Sequence, residues 1–183
     1  NKHRGQRIRA VGRLHSWSEA VLSDDVLLDL RQLNDVQLEL TDAQLVATVG
    51  AGCQIKHLLK ELNREGATLH SLGLITAQTI AGAISTGTHG SGRNSMSHYV
   101  MGVRLARYDD SSGQAIIEEL DAGESLQAAR CSLGSLGIIL AVKIRCREQY
   151  NVPEQFAESR QLSDVLAAEA TFPLQQFYLF PWR

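Results

Sequence analysis

Short runs of alternating apolar and polar residues recur along the chain and predict β-strands, because successive side chains in a strand point to opposite faces. In the run at 138–146, every second residue from Ile138 onward is apolar, so Leu140 is expected in the core, opposite a basic, solvated row. Turn residues at 41–42 and 109–113 join neighbouring runs and predict two hairpins. The predicted strands are 6–11, 26–30, 36–40, 45–49, 100–108, 115–120, 138–146 and 174–180.

Other stretches carry apolar residues at helical spacing. The clearest is 55–62, which Gly66 follows as a stop signal, and shorter helices are predicted at 124–129 and 162–169. Helices together with antiparallel hairpins indicate an α+β fold. With 183 residues, 44% of them hydrophobic, the chain can bury a sizeable core.

The segment Gln78–Gly92 is rich in glycine, serine and threonine. Its composition alone would suit a solvated linker, but Ile80 and Ile84 show that the segment is entered from the core. Successive backbone N–H groups in such a turn form a concave anion site. No Gly-Lys-Ser/Thr follows, so the segment is not a P-loop. We expect it to hold a phosphate or the polar edge of a flat cofactor.

A second loop has a similar layout. The predicted strand 6–11 ends at Gly12, and Gly12-Arg-Leu-His-Ser16 follows it with small polar residues beyond. A lone histidine such as His15 is more often structural than catalytic, but here it lies in one of two paired phosphate-type loops.

The two loops resemble the FAD loops of the vanillyl-alcohol-oxidase superfamily, and are most similar to those of aldonolactone oxidases (L-gulono-1,4-lactone and D-arabinono-1,4-lactone oxidases) and alditol oxidases. A third segment, Ser132-Leu-Gly-Ser-Leu-Gly-Ile-Ile139, resembles the family's loop and strand beside the FAD adenine. The resemblance runs from about residue 6 to 147. It implies a two-subdomain FAD-binding fold of the PCMH type.

The resemblance also implies which residues hold FAD. The loop from Ala10 to Ser16 would wrap the pyrophosphate, the glycine segment would line the isoalloxazine and phosphate region, and the third segment would contact the adenine. The implied cofactor-binding residues are Ala10, Val11, Gly12, Arg13, Leu14, His15, Ser16, Thr79, Gly82, Thr86, Gly87, Thr88, His89 and Ile138.

Two features of the first loop refine this expectation. His15 matches the family histidine that is bonded covalently to the flavin, which favours a covalent link because a neutral imidazole is a nucleophile. Leu14 replaces a glycine of the commoner pattern, and its side chain is expected to point away from the phosphates.

Two further positions concern the oxygen and substrate face. Gly73 matches a position beside the flavin where relatives carry Gly or Ala, which resembles an oxidase more than a dehydrogenase. Leu74 stands where alditol oxidases carry a serine that touches the substrate, so an alditol is less favoured. The resemblance implies oxidation of a sugar-derived alcohol, polyol or lactone by hydride transfer to flavin, with O2 as acceptor and H2O2 as product.

Charge and cysteine content narrow the possible binding partners and the cellular setting. The net charge of −2 and the pI near 6.3 do not indicate nucleic-acid binding. Three cysteines without metal-type spacing indicate reduced thiols and a cytoplasmic setting, and we expect no metal site, signal peptide or membrane span. The basic residues near the start are expected to form a solvated strand edge: Lys2, His3, Arg4, Arg7 and Arg9.

The domain organisation is expected to follow the family. Residues 1–150 would be the FAD-binding domain without its first strands, and 151–183 the beginning of a substrate (cap) domain. The chain would then be a fragment that needs the remainder of the same protein for activity, including its unknown catalytic base.

Three functions stay open at this point. The first is the FAD domain of a sugar-lactone oxidase. The second is an alditol oxidase or an FAD-linked dehydrogenase that passes electrons to another acceptor. The third is a binding module that keeps the loops without a cofactor.

Overall fold

A computed structural model of the protein describes residues 2–41, 43–91 and 94–182. Asp42, expected in a hairpin turn, and Gly92, the last residue of the glycine segment, lie outside the described residues. The strands are β1 (Ile8–Val11), β2 (Val26–Asp29), β3 (Val36–Thr41), β4 (Gln44–Gly50), β5 (Ala67–Leu69), β6 (Val100–Tyr108), β7 (Ala115–Leu120) and β8 (Ile138–Glu148). The helices are α1 (Ile55–Arg64), α2 (Ile80–Ser85), α3 (Gly123–Arg130) and α4 (Leu162–Ala167), with 3-10 turns at Glu19–Val21, Met96–Tyr99 and Ala168–Ala170.

The first two strands form a small parallel pair. Ile8 of β1 lies opposite Val26 of β2, and the pairing continues to Val11 and Asp29. Just before β1, the backbone N–H of Arg7 donates to a carboxylate oxygen of Asp25 at 2.7 Å. These bonds fix the direction in which the chain leaves β1 and enters the loop that follows.

The remaining strands form one antiparallel sheet in the order β3-β4-β8-β6-β7, with β5 also paired to β8. Both predicted hairpins are confirmed, because β3 pairs with β4 and β6 pairs with β7. Strands and helices occur together as expected for an α+β fold.

Helix α1 covers part of the sheet. Its buried residues Ile55, Leu58 and Leu62 recur at helical spacing and are at most 1% exposed. The helix ends at Arg64, and Gly66 beyond it adopts a left-handed φ of +67°, as the sequence predicted for a stop signal. The core therefore lies between α1, α2 and one face of the sheet.

The prediction that Leu140 faces the core was wrong. Arg104 pairs with Ala141, whereas the next residue, Leu105, pairs with Ile139, so the pairing skips Leu140. A β-bulge of this kind moves the following side chains to the other face. Ile139 is buried as a result, and Leu140 is only partly buried.

The predicted strand at 174–180 was also wrong. The segment has no strand pairing with any described strand, and most of its large apolar residues are exposed. A run rich in apolar residues does not by itself make a strand, because the backbone groups of a strand need a paired neighbour. The predicted helix at 162–169 is present as α4 and the 3-10 turn after it.

The glycine segment is not a loop throughout, because its first part forms helix α2. The Thr79 side chain accepts a hydrogen bond from Gly82 N at 3.3 Å and caps the helix. Ile80, Ala83 and Ile84 fall on one face and are fully buried. The loop proper begins at the end of α2.

Candidate functional site

A cavity of about 1190 Å³ lies where the loop after β1 meets the large sheet. Most of its wall comes from four parts of the chain: 6–16, 78–86, the ends of β6 and β7, and 133–139. Three of these parts contain the segments that the sequence singled out. The volume is large enough for a ligand of dinucleotide size.

Most of the predicted binding residues line this cavity. The structure places Ala10, Val11, Gly12, Arg13, Leu14, His15, Ser16, Thr79, Gly82, Thr86 and Ile138 in its wall. Five other candidates are absent from the wall: Gly73, Leu74, Gly87, Thr88 and His89. These five belong to two loops that pack on each other next to the cavity.

The two phosphate-type loops meet at Gly12. A Cβ atom placed on Gly12 would lie 2.5 Å from Oγ1 of Thr79, a separation that side chains do not adopt. Only glycine therefore allows the first loop to approach the capping residue of α2 this closely. The absence of a side chain at Gly12 lets the backbone of the first loop lie against Thr79 within the cavity wall.

Leu14 adopts a backbone conformation that favours glycine. Its φ is +55°, in the left-handed region that L-residues other than Gly, Asn and Asp rarely enter. The Leu14 side chain is 66% exposed at the cavity wall, and His15 follows it as an exposed residue of the same wall. The left-handed turn at Leu14 thus sets the orientation in which His15 is presented.

The loop before β8 forms another part of the wall and is tethered from two sides. Leu133 N donates to Ser85 O at 3.3 Å, which joins the loop to the end of α2. Arg9 Nη1 donates to Gly134 O at 3.4 Å, which joins it to β1. Ile138 and Ile139 continue the wall into β8.

The sequence suggested that Arg9 lies on a solvated strand edge, but the structure does not place it there. Its side chain lines the cavity and is half-buried, and its Nε is buried without a hydrogen-bond partner among the described residues. The strand alternation placed Arg9 away from Ile8 but could not show that the 133–137 loop covers this side.

The wall carries an excess of positive charge. Arginines 7, 9, 13 and 107 line the cavity together with the carboxylates of Asp110 and Glu118. Glu118 is engaged, because Arg107 Nε donates to its carboxylate at 2.8 Å. The pairing with Glu118 raises the pKa of Arg107 above its usual value. The cavity therefore favours an anionic ligand.

The loops of the remaining candidates pack tightly against each other. A Cβ on Gly73 would lie 2.6 Å from Cγ2 of Thr88, so glycine is needed here for packing. Gln78 Nε2 donates to Thr88 Oγ1 at 3.4 Å and connects these loops to the cavity wall. His89 Nδ1 donates to Gly90 O at 2.9 Å, because the carbonyl can only accept. Leu74 is 90% exposed.

Some wall residues carry no sequence signal of function. Ala51 and Gly52 follow β4, and 105–108 form the end of β6; all of them line the cavity. The apolar pattern of β6 indicated a strand but not its neighbour, and only the tertiary arrangement brings it to the cavity.

Outside the cavity, a polar and aromatic cluster lies beside β8. The rings of His70 and Tyr99 stack with centroids 4.5 Å apart, and the Arg145 guanidinium lies 5.5 Å from the Tyr99 centroid. His70 Nε2 donates to Cys146 O at 3.1 Å. Burial, and then the charge of Arg145, lower the pKa of His70. Arg145 is thus partly covered, and not a freely solvated residue of the basic row.

The cysteines differ in their environment. Burial raises the pKa of both Cys53 and Cys146 to about 11. Cys131 is exposed, and its Sγ lies 3.4 Å from Ser85 O. In the part of the chain that the structure describes, no three His, Cys, Asp or Glu side chains are grouped as a metal site requires.

Comparison with known proteins identifies the ligand class. The sequence profile described as "FAD binding domain" matches residues 1–114. The chain belongs to this family. A protein named long-chain alcohol oxidase, from an uncultured marine euryarchaeote, is 84% identical over all 183 residues, which cover 38% of its length. The D-arabinono-1,4-lactone oxidase of Eremothecium gossypii is 35% identical over 158 residues, which are 82% of this chain and 29% of that protein.

A solved structure supports the fold. A solvent-stable cholesterol oxidase superposes with a TM-score of 0.72 at 20% identity, covering 79% of this chain and 30% of that one. The predicted PCMH-type FAD-binding fold is thereby confirmed. The chain spans about a third of the length of these proteins.

The observed cavity fits FAD. Its glycine-lined contact at Gly12, the orphaned Nε of Arg9 and the excess of arginine are the features expected of a site for a dinucleotide diphosphate. Within the described ranges, no helix is long and apolar enough to cross a bilayer.

Proposed function

We propose that the protein is an FAD-dependent oxidase of a CH–OH donor, with O2 as the electron acceptor and H2O2 as the product. The observation that carries the proposal is the cavity in which the segments 10–16, 79–86 and 133–139 of an FAD-binding family member meet. Activity belongs to the whole protein, since this chain covers only part of its relatives' length.

Each part of the wall has its own role in this proposal. Backbone N–H groups of 10–16 hold the diphosphate, and the 133–139 segment holds the adenine. Thr79, Gly82 and Thr86 lie between these two groups of residues, and the loop 87–89 continues toward the isoalloxazine. The positive charge of the wall supports this assignment.

His15 is the candidate for a covalent link to the flavin. It lines the cavity, and the left-handed backbone at Leu14 controls its orientation. A neutral imidazole nitrogen has the nucleophilicity that the link requires. Replacing His15 by alanine should release all flavin on acid precipitation, whereas the unsubstituted protein retains it. Complete release from both proteins would show that FAD is held without a covalent bond.

When bound, FAD supplies the two-electron acceptor for the hydride of the CH–OH carbon. This chain contributes binding and orientation, while the base that removes the hydroxyl proton is expected in the remainder of the protein. Residues 1–150 serve as the FAD-binding domain in this proposal, and 151–183 begin the substrate domain.

The substrate is best matched by an apolar alcohol. Leu72, Leu74 and Ile75 flank the Gly73 position with exposed side chains, which suit an alkyl chain better than hydroxyl groups. The long-chain alcohol oxidase that is 84% identical supports this choice. The second candidate is a sugar-1,4-lactone or polyol, which the similarity to the D-arabinono-1,4-lactone oxidase supports.

The acceptor is proposed to be O2 because the two relatives described above are named oxidases. Gly73 does not decide the question, since Thr88 Cγ2 fills the space where its Cβ would lie. The alternative is a dehydrogenase that passes electrons to another acceptor. An alditol oxidase is less favoured, since Leu74 offers no hydroxyl for a polyol.

Peroxide formation by the full-length protein under air tests these choices. The substrates are a series of 1-alkanols from C4 to C16, L-gulono-1,4-lactone, D-arabinono-1,4-lactone and xylitol. We expect kcat/KM to rise with alkyl chain length. Activity with lactones alone would favour the second candidate. Flavin reduction without peroxide would favour a dehydrogenase, and no flavin reduction by any substrate would contradict the proposal.

A further inference from the structure

Arg9 occupies an unusual position between two parts of the cavity wall. It lies in β1, just before the first loop, and reaches the 133–137 loop at Gly134 O. The N···O distance of 3.4 Å is long for an N–H···O hydrogen bond. Arg9 therefore holds the loop with a weak bond.

The rest of its hydrogen-bonding capacity is not used. Arg9 Nε is buried and has no acceptor in the described part of the chain. A buried donor without a partner costs free energy, more so when it is charged. Such a group is stabilised by a ligand that brings an acceptor to it.

The surroundings of Arg9 indicate which acceptor fits. The cavity wall contains two acids: Glu118, which is paired with Arg107, and Asp110. A guanidinium prefers planar, two-point binding to phosphate or carboxylate oxygens. The loop after β1 is proposed to bind the diphosphate. A phosphate oxygen is therefore the expected partner of Arg9.

We infer that Arg9 binds the diphosphate of the dinucleotide and, through Gly134 O, holds the 133–137 loop against it. The inference rests on the proposed FAD site and assigns a side-chain contact to a strand residue outside the loop from Ala10 to Ser16. Arg9 would thereby join the diphosphate wall to the wall proposed for the adenine.

Titration calorimetry with FAD and with ADP tests the inference on full-length protein that carries His15→Ala, which lacks the proposed covalent link and can therefore be freed of flavin. The variants are Arg9→Gln and Arg9→Lys, with Arg104→Gln as the matched control, because Arg104 is a strand arginine paired with Glu119 outside the cavity. We expect Arg9→Gln to weaken both ligands about 10- to 100-fold, and Arg9→Lys to weaken them less, since it keeps the charge without the two-point geometry. Arg104→Gln should stay within about twofold.

Hydrogen exchange separates binding from mere support of the loop. Faster amide exchange at 133–137 in Arg9→Gln, together with the loss of ADP affinity, supports the inference. Faster exchange with unchanged ADP affinity would overturn it, as would affinities equal to those of the control. If Arg9→Gln does not fold, unchanged ADP affinity in Arg9→Lys would overturn it. Failure of the unsubstituted protein to bind FAD would overturn the proposed function itself.

Discussion

Single residues determine how closely the cavity walls approach each other. Gly12 permits the contact with Thr79, and Thr79 in turn caps α2 through its bond from Gly82 N. One hydroxyl oxygen thus limits the size of residue 12 and also stabilises the helix. The sequence indicated both residues as cofactor contacts, but it could not show that they touch.

This arrangement predicts a rescue experiment. Gly12→Ala should weaken FAD binding strongly, because the new methyl group would overlap Thr79 Oγ1. Adding Thr79→Ala removes the overlapping oxygen and should restore part of the affinity, at a cost of about 1 kcal/mol in stability from the lost cap. Fluorescence titration with FAD measures both effects.

The matched control is Gly12→Ala with Thr79→Ser, which keeps the oxygen and should not restore binding. Equal affinity of the two double variants would show that the overlap with Oγ1 does not determine the size limit at residue 12.

His70 is expected to make the stability of the protein depend on pH. Because its pKa is lowered in the folded protein, the unfolded state binds the proton first as the pH falls below about 6.5. The contribution of His70 to the free energy of unfolding is therefore fully present above that pH. It decreases as the pH falls further, until His70 is protonated in the folded state too. His70→Gln, which can still donate to Cys146 O, should reduce the fall in the free energy of unfolding between pH 7 and pH 5.

Urea denaturation at several pH values checks this prediction. His57→Gln is the control, because His57 lies exposed on α1. A pH dependence that is the same in His70→Gln and in the control would contradict the role assigned to His70.

At the scale of elements, sequence patterns located most strands and helices, but they added a strand at 174–180 and missed β5 and α2. The spacing of apolar residues was sufficient for α1 and for both hairpins, since those elements bury one face. The bulge at Leu140 depends on the pairing between β6 and β8, which alternation in a single strand does not contain. Helix α2 was missed because Gly82 and Ser85 favour a loop locally, while burial of Ile80 and Ile84 favours the helix.

The packing of α1 gives a prediction for stability. Leu58 is completely buried against the sheet, so Leu58→Ala should cost about 2–5 kcal/mol by loss of burial and by cavity formation. Lys60→Ala, at an exposed site on the same helix, should change stability by less than about 0.5 kcal/mol. Urea denaturation followed by far-UV circular dichroism measures both. A loss below about 1 kcal/mol for Leu58→Ala would contradict the assigned packing.

At the scale of the whole molecule, the site exists only because distant segments meet. Residues 10–16, 79–86 and 133–139 are separated by more than forty residues each, and the sheet brings them to one cavity. Resemblance to a family indicated these three segments. It did not indicate Arg9 or the end of β6, because their roles depend on neighbours that the fold supplies.

FAD is proposed to bind in this cavity between the loop after β1 and the 133–139 segment. Electron density of the full-length protein crystallised with FAD tests it most directly. We expect density for the diphosphate at 10–16, for the adenine beside Ile138 and for the flavin near Thr86 and His15. Density for FAD at another surface, or its absence at saturating FAD, would contradict the account.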